Sequence, residues 1–275
     1  MNLFLDTKKV SWPLCFDNAL KVLRVSWRHQ WLGLPNVMKE CVNFLNFQEY
    51  ELTKNTRQML SASIELAQIF EDKCLERSDY TEPFYHNRLH TADVLVVMTL
   101  QVAIETEHLK SRASGWMAAA LLSAIVHDFE HPGRVNQFPS EIEINSLVAA
   151  LPVLKKYHVA AEWVERVRYA VERSDFSMVQ ENHRSVQNQK FDWSQDWLAV
   201  LLNEADIMGS SISVFGQELS VALSEEWRLS NVTDFATVAT RAGRARFLTS
   251  VCFSSHSSRV LMAQEKLKSQ LLDTL

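Results

Sequence analysis

The 275-residue chain is long enough to bury a large core, and its 47% hydrophobic and 22% charged residues are those of a globular protein. A formal net charge of −5 with no basic tract argues against nucleic acid as a partner. Six glycines and six prolines are too few for a loop-rich β protein, and four scattered cysteines without a Cys-x-x-Cys pair argue against a disulfide framework.

In chain order, the opening apolar residues meet Asp6, Lys8 and Lys9 before any signal-peptide core develops. The first 50 residues carry Trp12, Trp27, Trp31, Pro13 and Pro35 in mixed periodicity. They are read as part of a helical cap over residues 1–80, packed on a body over 81–275 as one continuous unit. Leu60, Ile64, Ala67 and Phe70 trace one helical face. His86-Asn87-x-x-His90 follows, then Trp116 to Val126, an apolar run of 11 residues that predicts a helix buried nearly all round. That run is too short to span a bilayer, so no membrane partner is expected and the cytoplasm is the expected compartment. His127-Asp128-x-x-His131-Pro132-Gly133 comes next, with the Pro-Gly pair expected to stop the helix that carries His127. Ser140-x-x-Glu143 resembles a capping box. Val159 to Val171 and Trp197 to Asp206 read as helices, and the polar stretch from Ser177 to Ser194 reads as a loop between them. The whole predicts an all-α fold of ten to fourteen helices.

The two histidine blocks carry the chemistry. On a helix, residues four apart lie one above the other, so His86 with His90, and His127 with His131, are expected to share faces that converge. Imidazole nitrogens and carboxylate oxygens are the ligands of Zn²⁺, Mn²⁺, Fe and Mg²⁺, and such metals turn water into a nucleophile near neutral pH. Asp128 closes a very apolar helix, where a carboxylate is costly unless paired or metal-bound, and its two oxygens can bridge two cations. Asp206, delivered by the apolar Leu198 to Ala205 segment, is the best remaining ligand. Glu204, the alternative, points about 200° away around that helix. His29, His108, His158, His183 and His256 stand alone and read as ordinary core or surface groups. The chain reads as a metal-dependent hydrolase.

Tyr85-His86-Asn87-Arg88-Leu89-His90 and His127-Asp128-Phe129-Glu130-His131-Pro132-Gly133-Arg134-Val135-Asn136 resemble the two signature blocks of the class I 3′,5′-cyclic nucleotide phosphodiesterases, within the HD-domain metal phosphohydrolases. Val171 to Ser177 and Asn203-Glu204-Ala205-Asp206 resemble two later blocks. The resemblance implies a compact multi-helix phosphodiesterase-like catalytic fold. It implies that His90, His127, Asp128 and Asp206 hold a tight metal, Zn²⁺ or else Fe or Mn²⁺, and that Asp128 bridges to a second, Mg²⁺ or Mn²⁺. It also implies that His131 orients waters from the second shell and that His86 protonates the departing O3′ after attack by a metal-activated hydroxide. Tyr85, Asn87, Asn136 and Asp175 would support the site by packing and hydrogen bonding. The partner would be a cyclic nucleotide or related phosphoester, and a homodimer is left open.

Departures lie in the nucleotide pocket. Arg241 stands near the family's purine-reading glutamine and no Phe follows Gly243; Asn203 replaces a His, and Met208-Gly209-Ser210 replaces an Asn. The family's Glu-Asn-His-His segment has no partner beyond Glu141 or Glu143. Arg241, Arg244 and Arg246 can form an anion-binding patch, with a solvated helix face as the plainer reading, and Arg241 and Arg244 are the candidate substrate contacts. Another HD-type phosphohydrolase and a metal-binding sensor without catalysis are the alternative functions.

Overall fold

Helix α4 (Arg88–Leu109) organises the molecule, and it is buried along nearly all of its length from Leu89 to Glu105. Its mean hydropathy of 1.2 over an 18-residue window makes it long and apolar enough to cross a membrane, yet 89% of that window is buried among other helices. A helix apolar on every side must be surrounded. Around it pack α1 (Trp12–Ser26), α2 (Leu34–Phe44), α5 (Ser114–Val126), α9 (Gln195–Ser211) and α13 (His256–Val260).

The computed structural model describes residues 3–47, 52–76, 81–109 and 113–274, so the boundary expected at residue 80 lies outside the described residues. Among these there are fourteen α-helices, one 3-10 turn and no strand, which makes the fold all-α as expected. Pro13 and Pro35 fall in the first turns of α1 and α2, where a missing N–H costs nothing. Gly33 precedes α2 at φ 82°, a conformation that favours glycine. Helix α3 (Lys54–Glu76) turns Leu60, Ala67 and Phe70 inward and packs on α2 and α5.

Helix α5 is buried without interruption from Met117 to Val126. Gly115 near its start lets the Trp163 indole lie against the backbone; a Cβ there would come within 2.7 Å of the ring. Helix α6 (Glu141–Lys156) packs on α3 and α7 (Ala161–Glu172), and α7 packs on α5 and α9. The C-terminal half adds α8 (Val179–Ser185), α10 (Gly216–Leu229), α11 (Phe235–Val238), α12 (Arg241–Ser250) and α14 (Ala263–Thr274).

Three local expectations fail for physical reasons. The stretch from Ser177 to Ser194 is not all loop: a 3-10 turn at Phe176–Met178 leads into α8. Its polar sequence is held by tertiary bonds, Asn182 Nδ2 donating to Asn203 Oδ1 (2.7 Å) and to Arg173 O (2.8 Å). Ser140 does precede α6 but forms no capping box. It sits at φ 57°, its amide donates to Asp175 (2.6 Å) and its hydroxyl to Glu172 O (2.8 Å). Finally, α5 stops at Val126, well before Pro132, and 127–130 form a turn with Glu130 at φ 64°.

Two buried carboxylates fasten the segment leading into α13. Glu204 on α9 accepts from the Ser254 amide (2.5 Å), the Ser255 amide (3.0 Å) and the Ser255 hydroxyl, while Glu105 on α4 accepts from the Ser257 amide (2.6 Å).

Candidate metal centre

Neither histidine pair is helical, because α4 begins only at Arg88 and α5 ends before His127. The pairs therefore cross instead of stacking as expected. His90 faces His127, with ring centroids 5.7 Å apart, and His86 stacks on His131 at 3.8 Å.

The first cluster joins α4, the end of α5 and α9. His90 Nε2 lies 3.2 Å from Asp128 Oδ2 and 3.0 Å from Asp206 Oδ1; His127 Nε2 lies 3.2 Å and 3.8 Å from the same atoms. None of these approaches has hydrogen-bond geometry, and both Nε2 atoms are buried without a partner. His127 Nδ1 meets Ala124 O at 2.9 Å; an N–H there donates to the carbonyl and leaves the Nε2 lone pair facing inward. Burial opposes ionisation of Asp128, but the neighbouring His127 and His86 outweigh it and hold the carboxyl well below its ordinary range. Ligand atoms of His90, His127 and Asp206 lie within 4.8 Å of one another, with Asp128 Oδ2 3.2 Å from both imidazoles, a donor set that fits a divalent cation and is costly to bury for any other purpose.

Asn87 fixes the start of α4. Its Oδ1 accepts from the amides of Leu89 (3.0 Å) and His90 (3.1 Å), and its Nδ2 donates to Phe84 O (2.8 Å). Tyr85 is buried with its ring 4.7 Å from that of His90. Arg24 of α1 pairs with the buried Asp93, one turn beyond His90. Glu204 lies outside this cluster, fully buried and bonded to the 254–255 segment.

The second cluster contains a residue for which the sequence offers no motif. Glu226, on α10, accepts from the amides of Tyr85 (2.7 Å) and His86 (2.9 Å) through one oxygen and bonds His86 Nδ1 with the other. Burial would lower the His86 pKa, but the charges of Glu226 and Asp128 prevail and raise it above its ordinary value. His131 is pushed down to about 3 by burial, with the His86 charge adding to the effect, so it stays neutral. Its Nδ1 accepts from the Gly133 amide at 3.0 Å.

Asn136 and Asp175 brace the loop between the clusters and α6. Asn136 Nδ2 donates to Asp175 (3.1 Å) and Glu143 (2.9 Å), and its Oδ1 accepts from the Ile142 amide (2.8 Å). Burial pushes Glu143 up to about 7. The arginines of α12 do not form one patch. Arg241 points outward and donates to Thr274 O, whereas Arg244 is 2% exposed and donates to Ser210 O at 2.6 Å.

Known proteins give a consistent answer. The sequence model of the 3′5′-cyclic nucleotide phosphodiesterase family matches residues 85–164, the segment that supplies His86, His90, His127, Asp128 and His131. A mouse 3′,5′-cyclic-AMP phosphodiesterase 4C is 33% identical over 124 residues. Residues 85–164 thus carry the sequence signature of the 3′5′-cyclic nucleotide phosphodiesterase family. The aligned segment is 43% of this chain and only 17% of the mouse phosphodiesterase, so the chain spans a small part of that relative. In fold alone, the likeness extends along nearly the whole chain. A solved structure of LmjPDEB1 in complex with IBMX superposes with a TM-score of 0.65, covering 98% of this chain and 94% of that one at 13% identity.

Proposed function

We propose that the chain hydrolyses a 3′,5′-cyclic nucleotide to its 5′-monophosphate at the centre formed by His90, His127, Asp128 and Asp206. One observation carries this reading: two buried, unpartnered imidazole Nε2 atoms turned toward two carboxylates, beside a histidine held for proton transfer. The family-model match over residues 85–164, the similarity to a cyclic-AMP phosphodiesterase and the fold support the same class of substrate. The four groups suit Zn²⁺, Fe or Mn²⁺, and the second oxygen of Asp128 suits a further Mg²⁺ or Mn²⁺. Bound there, divalent cations supply water activation and neutralise charge on the phosphoryl oxygens.

The chain's own residues do the rest. His86 is the general acid toward the leaving O3′. Its Nδ1 is occupied by Glu226, so Nε2 delivers the proton, and the neighbouring Glu226 and Asp128 charges favour the protonated ring. Glu226 also grips the amides of Tyr85 and His86, fixing the ring's position as well as its charge. The neutral His131, stacked on His86, adds no competing proton and orients water. Asn87 orients His90, and the Asn136–Asp175 bridge holds the loop after Gly133. The reaction is assigned to the cytoplasm, in keeping with four unpaired cysteines.

A second reading, an HD-type phosphohydrolase acting on another phosphoester, draws on one observation. The α12 segment where the family reads its purine presents an outward Arg241 and an inward Arg244 instead. The deciding assay is Mn²⁺- and Mg²⁺-supplemented hydrolysis of cyclic AMP and cyclic GMP by wild type beside Asp128→Ala. Formation of the 5′-monophosphate by wild type alone is expected. No conversion by metal-loaded wild type rejects the cyclic nucleotide reading.

A further inference from the structure

A second cavity lies apart from the metal centre. It has a volume of about 370 Å³ and lies at the opposite ends of α4 and α9. The hollow beside Tyr85 and His90 measures about 70 Å³. His108, which lines the large cavity, is 18 residues beyond His90 on α4, about 27 Å at 1.5 Å per residue. Trp197, also in its wall, is nine residues before Asp206 on α9, about 13 Å away.

The wall combines basic and aromatic side chains. Lys190, Arg259, His108 and His256 supply the basic groups, and no carboxylate is among the lining residues. Such a convergence runs against the chain's net charge of −5. Neither Lys190 nor Arg259 forms an ion pair among the described residues, and the Arg259 charge reaches only as far as the buried Glu105 and His256 without a direct contact. The imidazoles of His108 and His256 stack at 4.0 Å and 22°. Phe191 packs on Trp197 at 5.1 Å and on Trp193 at 5.2 Å. The indole N–H groups of both tryptophans are buried without an acceptor, which is unusual for tryptophan. The wall thus combines basic side chains with an aromatic face, within the volume range of small-molecule sites.

The floor is rigid. Ser254 lines the cavity, and its hydroxyl bonds Nδ1 of the buried His183 at 2.7 Å. The amides of Ser254, Ser255 and Ser257 are held from below by Glu204 and Glu105. A site that is already formed binds without an ordering cost.

We propose that this cavity is a second ligand site, taking a small phosphate monoester that carries a planar ring, the chemistry of a nucleoside 5′-monophosphate. The phosphate lies toward Lys190 and Arg259, and the ring lies against Phe191. The site is separate from the metal centre and stands whether or not the chain hydrolyses cyclic nucleotides.

The test is titration calorimetry at low ionic strength in EDTA, on the 275-residue chain carrying Asp128→Ala so that the metal centre contributes nothing. The probes are 5′-AMP, ribose 5-phosphate and inorganic phosphate. One site for 5′-AMP is expected, with ribose 5-phosphate bound at least tenfold more weakly. Adding Lys190→Ala and Arg259→Ala, both at exposed positions, is expected to weaken 5′-AMP at least tenfold with an unchanged circular dichroism spectrum. Absence of 5′-AMP binding, or equal binding by the doubly substituted chain, overturns the site. Equal affinity for inorganic phosphate and 5′-AMP overturns the assignment of a ring.

Discussion

Glu226 and His86 are 140 residues apart in sequence, yet one carboxylate holds both the ring and the backbone amide of that histidine. The metal ligands come from α4, the end of α5 and α9, while the tether of the proposed acid comes from α10. Metal binding and proton delivery are therefore built from different parts of the chain.

Replacing Glu226 with Gln tests that division. The Glu226 charge helps raise the His86 pKa, and the acid must be protonated to act, so activity is lost as pH rises through that pKa. Without the charge, the alkaline limb of the pH–rate profile is expected to move to lower pH. Turnover at neutral pH should fall roughly 10²-fold, the lower end of what general acid catalysis contributes. Metal content should not change. An unaltered profile would remove Glu226 from the mechanism.

Metal analysis separates the two clusters. His90→Ala and His127→Ala should strip the tightly held ion, whereas His86→Ala should keep it and lose turnover. If His86→Ala protein emerges metal-free, His86 is a ligand and the acid assignment is wrong.

Gly216→Ala probes the end of α9. A Cβ at 216 would lie 2.1 Å from Arg244 Nη2 and 2.5 Å from the Ser210 carbonyl, one turn beyond Asp206. Overpacking of this kind costs about 1–3 kcal/mol. A fall in Tm of roughly 2–4 °C per kcal/mol is expected by calorimetry. An unchanged Tm would mean that the contact relaxes freely.

His183 governs part of the acid stability. Burial lowers its pKa to about 4, so between that value and its ordinary 6.5 the unfolded chain takes up a proton that the folded chain refuses. Its neutral state therefore stabilises the fold above pH 6.5, and that contribution, on the order of 3 kcal/mol, drains away as pH falls toward 4. In His183→Gln, urea midpoints measured from pH 7 to pH 4 should decline less steeply. Parallel curves would show that the group is not the source.

What the sequence made legible was what sits close together along the chain. The ligands His90, His127 and Asp128 stand in short blocks, and Asp206 ends an apolar run, so composition and spacing exposed them. The reason first offered for two of them, a shared helical face, was wrong: His86 and His131 lie outside any helix, and their stacking depends on how the turns after α5 and before α4 meet. Glu226 was invisible because one glutamate in Ser224-Glu225-Glu226-Trp227 carries no local sign of a partner in α4's approach. Arg244 and Arg241 looked alike in sequence and went to opposite sides of α12, since only packing against Ser210 and Gly216 distinguishes them. Helix α8 was missed for the converse reason, its polar residues being satisfied by distant groups rather than by helical periodicity.

Helix α4 has no side facing water along most of its length, so no partial opening of the surface can release its amides. Deuterium should enter its central turns only when the whole molecule comes apart, on the timescale of global unfolding. The same shelter reaches from His90 to Glu105, so a candidate metal ligand at one end and the carboxylate that holds the Ser257 amide at the other belong to one unit that opens together.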